Sequence, residues 1–166
     1  MSTDAIVMLK KDHKEIRNAF REFEKAGDGA YKTKGKLVDR IIELLTVHTY
    51  IENEVMYPRV RELVPALKDD VLESYEEHHV PDVLVMELST MEPEDERFTA
   101  KTTVLIENVR HHMDEEENEW FPQVREALGR KALQQLGANM AIARKKAPRR
   151  PSHPSALKKT IDSVIS

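Results

Sequence analysis

HTYIENEVMYP, residues 48–58, returns as HMDEEENEWFP at residues 112–122, and both copies continue as PxVRE. Each places a glutamate four residues after a histidine, His48 with Glu52 and His112 with Glu116, and follows it with an aromatic residue and a proline. On a helix, residues four apart have Cβ atoms roughly 5–6 Å apart on one face, which is chelating geometry. The same positions continue an apolar seam: Ile41, Leu45, His48, Glu52, Val55 in the first copy and Leu105, Val109, His112, Glu116, Trp120 in the second. A seam with that spacing faces a core. A carboxylate there is costly unless a cation meets it, and neither seam has a neighbouring Lys or Arg. A metal ion satisfies both copies.

The chain has 166 residues, five glycines, no cysteine and a formal net charge of −4. That length fits one domain, and the few glycines and scarce β alternation predict helix throughout. Without cysteine there are no disulfides, thiolate metal sites, iron–sulfur clusters or thiol catalysis, so any metal must be held by nitrogen and oxygen. No apolar run approaches the ~18 residues of a membrane span, and MSTDAIVMLKKDH lacks the order of a signal peptide. The expectation is a soluble cytoplasmic protein with no membrane partner. The small net charge makes no case for nucleic acid.

Taken in order, helix A is expected after a cap at Ser2, Thr3 or Asp4 and runs to about Ala26, where GDGAYKTKG breaks it. Its apolar series Ile6, Leu9, Ile16, Phe20, Phe23 lacks one step, and that step is His13. Helix B runs from about Lys36 through the first HxxxE, bends or restarts at Pro58 and ends near Pro65. Helix C spans about Leu67 to Met91 with seam Val71, Tyr75, His78, Val85, Leu88, and Pro81 predicts a kink. His78 fits this seam better than His79. Helix D carries the second HxxxE to about Leu128, and Gly129 ends it.

Short loops make consecutive helices antiparallel, and counting from the loops puts His13, His48, Glu52 and His78 at one level, an arrangement the repeat extends, since His13 to His78 is a step of 65 and His48 to His112 one of 64. The predicted fold is all-α, an antiparallel up-down four-helix bundle over residues 1–129 made of two αα-hairpins. Each hairpin carries a lone histidine and an HxxxE. A short fifth helix is expected at 130–146 and a basic, Pro-containing tail at 147–166, extended and mobile, with a last amphipathic segment LKKTIDSVIS that docks on the bundle or on a protein partner. His111 and Glu115 step off the seam and read as solvated. His153 lies in the tail.

Four imidazoles (His13, His48, His78, His112) and two carboxylates (Glu52, Glu116) exceed what one tetrahedral zinc takes and suit a metal pair, two imidazoles to each ion with the carboxylates between. Imidazole with carboxylate suits Fe, Mn or Zn. Met56 and Trp120, one turn beyond each glutamate, make a dry surround that favours small uncharged ligands such as O2, NO or peroxide.

LKKDH in helix A, HTYIENEVMYP in B, EEHHVPDVLVMEL in C and HHMDEEENEWFP in D resemble the bacterial hemerythrin-like, or HHE cation-binding, family over roughly the first 130 residues. The resemblance implies a bundle around a non-haem, oxo- or hydroxo-bridged pair of Fe ions. By position, His13, His48, His78 and His112 become terminal ligands and Glu52 and Glu116 bridges. The oxygen-carrying members have a further histidine, giving HxxxH on helix C. Here the positions four either side of His78 are Ser74 and Asp82, which counts against reversible oxygen carriage and leaves a place for a ligand, solvent, Asp82 or the phenol of Tyr75. The expected function is binding of a small oxidant or diatomic for sensing, scavenging or iron handling. Peroxide decomposition and a metal-stabilised regulatory bundle are the alternatives.

Overall fold

The computed structural model describes residues 3–151. Helix α1 (Ala5–Lys25) is capped by Asp4, whose carboxylate accepts from the backbone N–H of Ile6 at 2.9 Å and Val7 at 3.1 Å. A side-chain cap of this kind contributes about 1 kcal/mol. Its buried stripe takes in Ile6, Leu9, His13, Ile16, Phe20 and Phe23, so His13 does complete the series.

Helix α2 (Tyr31–Ile51) starts earlier than the expected Lys36, because Gly27, Asp28 and Gly29 suffice for the turn. Gly35 is not a breaker. It sits inside α2 where Pro93 packs close, and a Cβ there would stand 2.8 Å from Pro93 Cγ. A π-helical turn, Glu52–Met56, links α2 to α3 (Tyr57–Leu63). A 3-10 turn, Pro65–Leu67, then leads into α4 (Lys68–Leu88), which ends before the expected Met91 and keeps Pro81 inside a continuous helix. Helix α5 (Phe98–Glu115) passes through a second π-helical turn, Glu116–Trp120, into α6 (Phe121–Lys146). Within α6, Gly129 has φ 76° and ψ 175°, which divides the helix where the sequence places its break.

Four rods result: α1, α2 with α3, α4, and α5 with the start of α6. The rest of α6 folds back onto the bundle. Leu133, Leu136 and Met140 are buried with Ala5, Ile6, Leu9, Val47 and Ile51. At Gly137 the approach leaves no room for a side chain, since a Cβ would lie 1.5 Å from the Thr3 carbonyl oxygen. Two apolar clusters fill the interior, one around Met56, Tyr57, Trp120 and Phe121 and one around Phe20, Ile41, Leu105 and Val109. The histidines and glutamates lie between them.

No helix among the described residues is long and apolar enough to cross a membrane. From Ala147 to Pro151 the chain is non-helical, with Arg149 paired to Glu43 at 2.9 Å and Arg150 to Asp39 at 3.4 Å. The amphipathic segment LKKTIDSVIS and His153 lie outside the described residues.

Candidate metal centre

Each glutamate opens a π-helical turn. Tyr57 N–H bonds to the Glu52 carbonyl and Phe121 N–H to that of Glu116, five residues back rather than four. A proline follows at once in both copies, Pro58 and Pro122. Proline cannot donate to the carbonyl four residues back and its ring crowds that carbonyl, so the ladder changes register there. The extra residue rotates everything downstream. Val55, expected on the seam, is only half-buried, whereas Met56 and Tyr57 are fully buried.

All six expected ligand residues are buried and converge. His13, His48, Glu52 and Glu116 each offer one donor atom within 4.8 Å of the others, as do Glu52, His78 and His112. Glu52 belongs to both groups. Its Oε1 lies 2.9 Å from His48 Nε2 and 3.4 Å from His78 Nε2. Glu116 Oε1 lies 3.4 Å from His112 Nε2 and 3.4 Å from His13 Nε2. Each carboxylate therefore stands between a histidine of its own rod and one of the other hairpin. His78 is the inward member of its pair; His79 is part-exposed.

The outer nitrogens are as ordered as the inner ones. His48 Nδ1 is 3.1 Å from Asp12, His78 Nδ1 2.9 Å from Asn53 Oδ1, His112 Nδ1 2.7 Å from Glu77 and His13 Nδ1 3.3 Å from Glu117. Arg17 pairs with Glu117, and Arg144 with Asp12. Acceptors at Nδ1 of His48, His78 and His112 hold those rings with Nε2 turned to the centre, whereas His13 Nδ1 lies near Glu117 without a hydrogen bond.

The centre was legible in outline from sequence, but one member was not. Tyr57 Oη stands in the middle, 2.9 Å from Glu116 Oε2, 3.2 Å from Glu52 Oε2, 3.2 Å from His78 Nε2 and 3.3 Å from His112 Nε2. The central phenol is thus Tyr57; Tyr75 packs edge-on against the Tyr57 ring at 5.4 Å. In the second copy the equivalent residue is Phe121, whose ring stacks on His13 at 5.8 Å. The signal available in the sequence was the repeated aromatic-proline pair.

These donors fit a pair of cations. Four imidazoles turn Nε2 toward two carboxylates, and among the described residues His13 Nε2, His48 Nε2, Glu52 Oε1 and Glu116 Oε1 have no hydrogen-bond partner. His78 and His112 even point Nε2 at Nε2, 3.1 Å apart. The field of the site attracts positive charge. Burial opposes protonation of His48, yet Glu52 and Asp12 hold its pKa well above the usual imidazole value. His112, against the same opposition from burial, is pushed up to about 9 by Glu116 and Glu77. Burial would raise the Glu52 carboxyl, but His48 and His78 hold it well below the carboxylate range. Burial and the two glutamates push the Tyr57 phenol far up, so without a cation it keeps its proton.

A cleft of about 120 Å³ reaches the centre from outside. His112, Glu116 and Trp120 line it, and Asp70, Glu73, Glu77, Glu115 and Glu119 make its walls acidic. The approach is therefore more polar than the flanking Met56 and Trp120 suggest. His111 and Glu115 pair at 2.9 Å on the exposed surface, off the centre as expected.

Residues 4–124 match the Hemerythrin HHE cation binding domain, and the chain belongs to that family. An uncharacterized hemerythrin-like protein of Schizosaccharomyces pombe is 23% identical over 147 residues, 88% of this chain and 71% of that protein. A DNA nickase of Nostoc sp. is 25% identical over 143 residues, 86% of this chain, and the chain spans only 40% of that protein's length. The crystal structure of a Hemerythrin HHE cation binding domain-containing protein from Mycobacterium kansasii has the same fold, with TM-score 0.71 at 20% identity over 96% of this chain and 98% of that one.

Proposed function

We propose that the chain is a non-haem di-iron protein that takes a small oxidant or diatomic molecule, O2, NO or peroxide, at a metal pair held by His13, His48, His78, His112, Glu52 and Glu116. One observation supports this reading: four buried imidazoles and two buried carboxylates converge in two overlapping groups of donor atoms, and His13 Nε2, His48 Nε2, Glu52 Oε1 and Glu116 Oε1 are left without the hydrogen-bond partners that metal cations would replace. His13 and His48 serve one position and His78 and His112 the other, with the carboxylates between. Mn or Zn suits the same donors, but iron adds the redox chemistry and open positions that a diatomic or peroxide ligand needs.

The chain's own residues set what approaches. The acidic cleft repels anions and admits neutral molecules and cations. The outer carboxylates and Asn53 hold each imidazole in orientation. Tyr57 fills the space beside Ser74 that HxxxH would otherwise supply, as a further ligand or as a donor to Glu116.

Peroxide consumption is the second reading, and Tyr57 favours it by placing a phenolic proton at the centre, within reach of both carboxylates. DNA nicking, the activity in the name of the Nostoc protein, gains no support from an approach walled by carboxylates, since phosphate is repelled there. Reduced, metal-loaded protein mixed with O2, NO or peroxide separates the readings. A stable adduct with O2 or NO supports ligand binding, oxygen evolved from peroxide supports turnover, and inertness to all three contradicts both.

A further inference from the structure

The fifth helical segment reaches the centre. Asp12 stands on α1 one position before His13, but its carboxylate turns to the other side and meets His48 Nδ1 at 3.1 Å. Arg144 Nη2, 132 residues away on the returning half of α6, bonds both Asp12 oxygens at 3.0 and 2.8 Å. The outer contacts of the other histidines come from the four rods themselves: Asn53 for His78, Glu77 for His112, and Glu117 with Arg17 for His13. Among the described residues, only the His48 contact depends on a residue outside those rods.

The returning half is seated where it can exert this control. Leu136 and Met140 are buried with Val47 and Ile51, which flank His48 on α2. Beyond it, Arg149 and Arg150 pair with Glu43 and Asp39, so the chain leaving α6 is tied along α2. Asp12 without Arg144 would be a carboxylate with a 12% exposed side chain facing an imidazole that must keep its Nε2 lone pair free. Arg144, bonding both Asp12 oxygens, fixes the carboxylate that meets His48 Nδ1 and so the orientation of the ring.

We propose that Arg144 is a positioning residue for the metal centre, which through Asp12 orients His48, so that metal occupancy and docking of the returning half of α6 are coupled. This rests on the metal-binding reading above, but on no particular ligand or turnover. Coupling of this kind is reciprocal: the helix holds the metal, and the metal holds the helix.

The test compares metal-loaded full chain, unaltered and as Arg144→Gln, Arg144→Lys, Asp12→Asn and Arg125→Gln, in release of Fe(II) to an excess of chelator under anaerobic conditions. Outer-contact loss at a metal ligand costs about 10–100-fold in affinity. Arg144→Gln and Asp12→Asn are expected to release half of the iron faster by about that factor, the half served by His13 and His48. Arg144→Lys restores slow release, because a single nitrogen makes both bonds to Asp12. Arg125→Gln breaks another α1–α6 ion pair, that with Asp4, and leaves release unchanged. In parallel, backbone hydrogen exchange over residues 138–146 is expected to slow when metal binds, and less so in Arg144→Gln. Release from Arg144→Gln at the unaltered rate, equal acceleration in Arg125→Gln, or exchange indifferent to metal would each overturn the coupling. Absence of bound metal in the unaltered chain overturns this proposal together with the functional reading, whereas a loaded but insensitive Arg144→Gln overturns this one alone.

Discussion

Tyr57 Oη donates to Glu116 Oε2 at 2.9 Å, joining residues 59 positions apart across the centre of the bundle. The contact breaks the approximate equivalence of the two halves, because the second copy has Phe121 at the matching place and its ring lies on His13. His78 and His112 thus have a phenol beside them, and His13 a bare ring.

That asymmetry has a spectroscopic consequence. Iron-loaded protein is expected to show the visible absorption of a phenolate on ferric iron, and Tyr57→Phe to lose it while keeping its metal. Identical spectra would restrict Tyr57 to hydrogen bonding. In the metal-free chain the same substitution strips carboxylates of their donor and is expected to cost about 1–3 kcal/mol in denaturant unfolding.

Glu52 and Glu115 make a matched comparison on register. Glu52→Ala is expected to abolish the rise in Tm that metal gives the unaltered chain, a gain of about 2.7 kcal/mol at metal one hundred times its Kd. Glu115→Ala, whose partner His111 is exposed, is expected to change stability by less than about 0.5 kcal/mol. Equal effects in melting curves with and without metal would place the wrong face inward.

Much of this centre can be read directly from residues. His48, Glu52, His112 and Glu116 interrupt apolar seams at helical spacing, and His13 fills the one gap in the α1 series; counting from the loops, extended by the repeat, levels them. Tyr57 escapes the same logic because a 3.6-residue template carries Val55 inward, and only the π-helical turn substitutes Met56 and Tyr57. Periodicity cannot register a one-residue insertion, although the prolines that cause it stand in plain view. The pairing of Arg144 with Asp12 is hidden for another reason: a charge contact between distant helices leaves no periodic trace.

The two glycines of α6 act by different means, and both can be tested by unfolding. Gly129→Ala forces a Cβ into φ 76°, ψ 175°, a conformation that is essentially restricted to glycine, at a cost of about 1–3 kcal/mol. Gly137→Ala places a methyl on the Thr3 carbonyl, so α6 must lift from the segment that leads into α1, and overpacking of this order costs about 1–3 kcal/mol. A neutral Gly137→Ala would show that the helix does not dock so closely.

Asp4 gives the bundle a defined dependence on acid. Burial raises its carboxyl pKa, but Arg125 and the N–H groups of Val7 and Ile6 outweigh burial and hold it below the ordinary 3.8. A folded pKa below the unfolded one means that the stabilisation is complete above that value and is lost as pH falls through the lowered one. The stability gap between the unaltered chain and Asp4→Asn is therefore expected to be full at neutral pH and to close below about pH 4. A gap that persists in acid would assign the effect to the cap geometry alone.

Anaerobic titration of metal-free protein with Fe(II), read as bound iron per chain after removal of free metal, addresses the centre most directly. Two equivalents are expected, falling in Glu52→Ala and His78→Ala while His79→Ala retains both. A single equivalent, no binding, or two equivalents that survive the loss of Glu52 would contradict a metal pair held by these six side chains.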